Sequence, residues 1–198
     1  MKGNVLVIAL AMTGCMASPQ ELSAQGGDER TRQHEQPCVV QGEEIKFFVS
    51  YLKEGIASPL VVVTTIGAPD VDVDAFNLQL AAQGRAFPPD VRADFKEKNK
   101  TRCVIKPFVE LPNVHFISER EHNLMFRTLK GWTEFHERYG KKAEIVFLSR
   151  IGFNRDKTLA LFHISSGIGS MAAGGSLNLC ERKNGKWIVK MHIPTWTT

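Results

Sequence analysis

AEIVFLSRIGFNRDKTLALFHISSGIGSMAAGGSLNLCERKNGKWIVKMHIPTW, residues 143–196, decides the fold. Within it Glu144 to Phe153 alternates. Ile145, Phe147, Ser149, Ile151 and Phe153 share one side, and Val146, Leu148, Arg150, Gly152 and Asn154 the other. A period of two over ten residues predicts a strand. Asn154-Arg155-Asp156-Lys157 is turn chemistry, because Asn and Asp bond their own backbone and tolerate turn dihedrals. Thr158 to Ile164 then returns as a second strand. A four-residue loop sets Phe153 opposite Thr158, Ile151 opposite Ala160 and Ser149 opposite Phe162, on a core face. The other face, with Leu148, Arg150, Leu159, Leu161 and His163, is mixed. Ser176–Arg182 and Lys186–His192 make a second hairpin around Asn184-Gly185, a pair that accepts positive φ at both turn positions. That loop sets Cys180 on the face of Trp187, Val189 and Met191. The Gly-rich segment Ser165–Gly175 lacks G-x-G-x-x-G spacing and reads as a flexible crossover between the hairpins. The expectation is a four-stranded antiparallel meander.

Upstream, Ile45, Phe48, Val49 and Leu52 recur at helical spacing over Glu43–Lys53. Leu60–Ile66 is a β-branched run, hence a buried strand. Asp74–Ala82 and Asp90–Lys98 read as short helices with acidic caps, separated by Pro88-Pro89. Arg102–Leu111 and Val114–Ile117 are predicted strands. Ser118-Glu119-Arg120-Glu121 is a capping box. Thr128–Tyr139 is a helix with Trp132, Phe135 and Tyr139 in one stripe, stopped by Gly140. The fold class that follows is α+β: a C-terminal antiparallel meander with N-terminal helices packed mainly on one face.

The stretch SRIGFNRDKTLALFHIS, followed by a Gly-rich segment and NGKWIV, resembles a group of uncharacterised secreted bacterial proteins. They share a Ser-Arg-x-Gly-Phe-Asn strand end, a Thr-x-Ala-Leu strand and a closing Asn-Gly-Lys-Trp hairpin. The helix with Gly131-Trp132 and Phe135 is similar to that group as well. The resemblance covers the C-terminal third of the chain. In the group the Gly-rich segment often carries cysteines; here it has none. The resemblance implies an exported α+β protein and no particular activity.

The N-terminus agrees with export. Lys2 precedes an apolar run, Val5–Met12, too short to span a bilayer but suited to a secretory leader. Met12-Thr13-Gly14-Cys15 resembles a lipobox, with Met12 in place of the usual leucine; Cys15 is then lipidated and becomes the first residue. Ordinary cleavage after Ala17 is the alternative. The expected organisation is a leader over 1–14, a polar, disordered tether over 15–37, and one α+β domain over 38–198. The expected location is the cell envelope, with the protein held to the membrane through Cys15, or the secreted fraction. Removal of Lys2 lowers the formal net charge from +4 to +3. The basic residues are scattered and lack interleaved aromatics, so nucleic acid is not an expected partner.

Beyond Cys15 the cysteines are Cys38, Cys103 and Cys180, an odd number. Cys180 shares an apolar strand face and is the expected buried thiol, leaving Cys38–Cys103 as the expected disulfide in an oxidising compartment. There is no Cys-x-x-Cys, H-E-x-x-H or G-x-S-x-G, so no metal, cofactor or catalytic set is assigned. Glu119-x-x-His122 reads as a solvated helix face. Arg150, Asn154 and His163 remain as candidate ligand-binding residues. In the expected register they share a strand face with a gap at Gly152, suited to a small anion. Alternatively Arg150 pairs with a carboxylate or carbonyl of the covering N-terminal half, because an unpaired buried guanidinium is very costly. The functional expectation is a binding or structural module whose partner is a small anionic ligand or an envelope protein. An envelope hydrolase around Arg150 and His163 is the alternative.

Overall fold

The computed structural model describes residues 38–54, 58–67, 69, 71–106 and 111–198. The leader, Cys15, the 15–37 tether and part of the predicted 102–111 strand lie outside the described residues. The meander is present and longer than expected. It comprises β5 (Glu144–Leu148), continued after a break by β6 (Gly152–Phe153), then β7 (Leu159–Gly169), β8 (Ala172–Lys183) and β9 (Lys186–Thr197). Upstream, β1 (Leu60–Val63) runs parallel to β5 on one side and to β4 (Val114–Ile117) on the other. The sheet order is β4-β1-β5-β7-β8-β9, with β6 also on β7. Val61, Val62 and Val63 are buried, as the continuous apolar run of a strand covered on both faces requires. A separate small sheet joins β2 (Thr65–Ile66) to β3 (Cys103–Val104).

Among the described residues one helix, α1 (Glu43–Glu54), covers one face of the large sheet. Its Phe47, Phe48 and Leu52 pack on Val146, Leu148, Phe153, Phe162 and Cys180. The opposite face carries α2 (Val73–Ala81) and α3 (Pro89–Lys98) over Leu161, Leu177 and Leu179. It also carries α4 (Glu119–Met125) and α5 (Gly131–Tyr139) over Val61, Val63 and Ile145. The capping box on α4 forms as read, with Ser118 Oγ accepting from Glu121 N–H at 3.1 Å and the Glu121 carboxylate accepting from Ser118 N–H at 2.8 Å. The cap of α2 is Asp72 rather than Asp74, and α5 begins at Gly131, three residues later than its pattern suggested. Of the predicted strand over 102–111, the described residues contribute only Cys103–Val104.

Three expectations for the first hairpin and the segment after it are corrected. The first loop is longer, and Phe153 pairs with Ala160 rather than Thr158. Asn154 closes it: its Oδ1 accepts from both Thr158 N–H and Leu159 N–H at 2.8 Å, which moves the first strand pair outward. Next, the strand does not run through Ser149–Ile151. Leu148 pairs with Ile164 and Gly152 with Leu161, so three residues on one strand oppose two on the other. This bulge moves the later residues across: Ile145 faces the α5 side, whereas Ile151 and Phe153 face α1. Finally, the Gly-rich segment is strand, not crossover. Gly167 pairs with Ala173 and Gly169 with Ala172 about a two-residue turn. Its small residues permit close packing: a Cβ on Gly167 would lie 3.1 Å from Ala173 Cβ across the hairpin, and one on Gly175 would collide with Trp196.

The second hairpin turns at Asn184 (φ 51°) and Gly185 (φ 79°), as its sequence demands. A register shift between Leu179 and Cys180 then places Val189 opposite Cys180 but moves Met191 opposite Leu179, on the other face from Trp187.

Candidate functional site

The bulge at Ser149–Ile151 would leave backbone groups without ladder partners, and side chains from both covering layers satisfy them. Glu44 on α1 accepts from Ile151 N–H at 3.0 Å. Asn99, the C-cap of α3, accepts from Arg150 N–H at 2.9 Å and donates to its carbonyl at 3.1 Å. Asp94 accepts from Phe153 N–H at 2.7 Å, and Lys98 donates to the Ile151 carbonyl at 3.1 Å. Ser149 Oγ takes the place of a carbonyl for His163 N–H at 2.8 Å.

The Arg150 guanidinium is part of this knot. It grips Glu44 through two bonds, Nη2 to Oε2 at 2.6 Å and Nε to Oε1 at 3.3 Å, and its Nη1 lies 3.8 Å from Cys38 Sγ. Glu44 is 6% exposed. Cys38 is disulfide-bonded to Cys103, tying the segment before α1 to β3. Cys180 is a buried free thiol, pushed up to about 12 by desolvation, so it is inert as a nucleophile at neutral pH. Glu119 pairs with Arg102 at 2.8 Å, while His122 sits against Asn123 and Phe147 on an exposed flank.

The three predicted ligand residues are not brought together. Arg150 is spent on Glu44. Asn154 holds the loop and lines a shallow cleft of about 530 Å³ with Glu43, Asp90, Asp94 and Lys98. His163 lies on the opposite face from α1, in a gap between the two helical groups, where Thr65, Arg102, Ser149, Ser165 and Trp196 complete a cavity of about 270 Å³. Its Nε2 meets Thr195 Oγ1 at 3.0 Å. Burial pushes the imidazole down to about 4, so it is neutral near pH 7 and too weakly basic to take a proton from a hydroxyl there.

A better-formed site lies on the α1 side. Beyond the reach of Phe47 and Phe48, the described residues leave the sheet face uncovered beside the last turns of α1, with a cleft of about 300 Å³. Tyr51 and Leu52 form one wall. The floor crosses five strands: Leu60, Glu144 and Val146, Ile164 and Ser166, Ser176 and Asn178, and His192. Tyr51 is fixed by stacking on Phe47, with centroids 5.8 Å apart, and by its edge contact with Phe162 at 4.9 Å. Burial raises the Tyr51 phenol above its ordinary value, and nearby Cys180 and Glu144 add to the effect. Asn178 and Ser176 are buried polar groups on a sheet face, where an apolar pair would pack better unless a ligand or each other satisfied them.

Their hydrogen bonds orient the site. Asn178 Nδ2 donates to the Ser176 carbonyl at 3.3 Å and lies 2.9 Å from Ser176 Oγ. A carbonyl only accepts, so the amide nitrogen must face it, and Asn178 Oδ1 is left for His192 Nδ1, 2.8 Å away. An amide oxygen also only accepts, so His192 Nδ1 carries the proton. In the neutral ring Nε2 is then an acceptor. Opposite Ser176 stands Pro194, which has no N–H to offer.

The sequence reading missed this site, although one signal was present. In Ser176-Leu177-Asn178-Leu179 the polar residues alternate with the apolar ones, which puts both polar side chains on one face of a central strand. No protein-family model, curated protein or solved structure matches the chain.

Proposed function

We propose that this protein is an exported, lipid-anchored binding module of the cell envelope, and that the α1-side cleft is its ligand seat. The observation that carries the binding role is the polar floor, in which buried Ser176 and Asn178 align the exposed His192 at the mouth of a cleft. Export is supported by Lys2, the run Val5–Met12 and Thr13-Gly14-Cys15, and by the Cys38–Cys103 disulfide, a bond suited to an oxidising compartment. A loop closed over a separation of 65 residues stabilises by roughly 4 kcal/mol in the chain-entropy model. The hydrolase alternative relies on Arg150 and His163, which Glu44 and Thr195 engage on different faces of the sheet.

Native mass spectrometry of protein released from its own membranes tests both parts. The polypeptide should begin at a lipid-modified Cys15 and carry a small-molecule adduct. The adduct should be lost in Ser166→Trp, which fills the cleft from a half-buried position on β7. A free N-terminus at Ser18 would overturn the anchor. An adduct-free protein, or an adduct unaffected by Ser166→Trp, would overturn the cleft.

A further inference from the structure

The geometry points to an elongated aliphatic amine as the ligand of the α1-side cleft, an inference that rests on the reading of that cleft as the binding seat. The lining offers acceptor-only groups at its two ends, with the Tyr51, Ser166 and Ser176 hydroxyls able to accept or donate between them. Glu144 is the charged side chain lining it, and no lysine or arginine is among the described residues that do. No cation pairs with Glu144 among the described ion pairs. At the other end His192 offers Nε2 as an acceptor, since its Nδ1 proton is committed to Asn178. The Ser166 and Ser176 hydroxyls lie between, and each can accept. Val146, Ile164 and Leu52 supply apolar surface for a methylene stem, and the Tyr51 ring offers a face to a cation.

The register sets the shape. Glu144 lies on β5 and His192 on β9, three strand spacings apart, about 14 Å. Val146 pairs with Ser166, so Glu144 lies toward the β7–β8 turn; His192 pairs with Asn178, and that with Phe162. This offset of six residues along β7 adds roughly 20 Å lengthwise. The acceptors therefore stand at the two ends of a diagonal. A compact ion would reach one of them; an extended chain with a nitrogen at each end, hydrogen-bonded over about 3 Å to each acceptor, would reach both. The chain as a whole carries a formal net charge of +4, so long-range attraction does not favour a polycation, and binding would report the local acceptors.

Calorimetric titration of the full mature protein in detergent, near physiological salt, tests this with spermine, 1,4-diaminobutane and dodecanedioate as probes. Spermine should bind, and the short diamine at least tenfold more weakly. Glu144→Gln should weaken spermine at least fivefold without shifting the melting temperature, and His192→Phe should weaken it at least fivefold with a fall of only a few degrees, the cost of the lost bond to Asn178. Tighter binding of dodecanedioate, or spermine binding indifferent to Glu144→Gln, would overturn the amine. If the dioate binds and Ser166→Trp abolishes it, the cleft stands and the ligand class falls. If no probe binds and the native adduct survives Ser166→Trp, both fall together.

Discussion

The two faces of the sheet solve the same burial problem with opposite means. On one, four described helices lie over two apolar clusters, and the polar residues between them are drawn into the structure. His163 is buried and neutral, Ser149 Oγ replaces a ladder carbonyl, and Gly152 admits the backbone of α3. On the other, the one described helix is anchored at its first turn by Glu44 and packed by Phe47 and Phe48, and the described residues leave the sheet beyond it uncovered. Buried polar groups occur on both faces, so burial alone does not mark a site. What separates them is where the second partner points. Arg150, Glu44, Asn99 and Asp94 have one another and the backbone, whereas the Asn178–His192 chain ends on a ring nitrogen at the mouth of a cleft.

The largest effect expected on this contrast comes from the anchor of α1. Arg150→Met strands Glu44, and breaking a buried pair of this kind costs roughly 3–5 kcal/mol. For a chain of this size that is a fall of roughly 6–20 °C in melting temperature. Arg150→Met combined with Glu44→Gln should recover part of the loss, since the neutral amide removes the stranded charge and keeps an acceptor for Ile151 N–H. Chemical denaturation of the parent and the two variants decides it. A single variant as stable as the parent would show that α1 needs no anchor and that the two faces are not held differently.

His163 gives the next effect, through pH. Its unfolded-state value near 6.5 exceeds the folded value of about 4, so between these limits the unfolded chain binds more protons. Stability should therefore be full above pH 6.5 and fall as the pH is lowered towards 4, by up to about 3 kcal/mol from this group. Carboxylates add to acid destabilisation, so the difference from His163→Leu isolates the imidazole. Parallel stability curves for the two proteins would mean that the ring is solvated and that the cavity beside it is more open than its burial indicates.

Gly152→Ala is expected to cost roughly 1–3 kcal/mol, because the new methyl meets Val91 O and Phe95 N of α3. The alanine variant should fold with α3 displaced, visible as faster amide exchange along 89–98. Unchanged exchange would place the helix less firmly on its face than on this account.

Much of the fold was legible because its signals are local. Asn184-Gly185 can turn a hairpin unaided, the Ser118–Glu121 box starts a helix on its own terms, and the period of two identifies the strands. The bulge was not legible. Ser149-Arg150-Ile151 continues the alternation, and only Glu44, Asn99 and Asp94, distant in sequence, make it worth breaking. Once it forms, Arg150 and His163 no longer share a strand face, and the expected cleft disappears. The Gly-rich segment misled for a related reason: its small residues serve close packing against Ala173 and Trp196 rather than flexibility. Of the site, the Ser-Arg-x-Gly-Phe-Asn residues that drew the eye support the fold. Ser176, Asn178 and His192 belong to strands 14 residues apart at the His192–Asn178 bond, a contact that only the register shift in β9 produces.

That register makes Asn178→Leu the most discriminating small change. The amide holds Ser176 and His192, and the net value of such hydrogen bonds is about 1 kcal/mol. The cleft is partly open, and the groups released can meet water, so stability should fall by no more than about 1–2 kcal/mol. The chemistry should change more than the stability. In the parent, Asn178 Oδ1 holds the proton on His192 Nδ1, and nitrogen shifts of the neutral ring should report that single tautomer. In the leucine variant the lock is gone, and the ring should show both tautomers in exchange. A loss of more than about 3 kcal/mol would put Asn178 with Arg150 and Glu44 among the groups that hold the sheet, and the open face would then be a second structural face rather than a site. An unchanged tautomer would be equally damaging, because the acceptor at the mouth of the cleft would owe nothing to the buried floor beneath it.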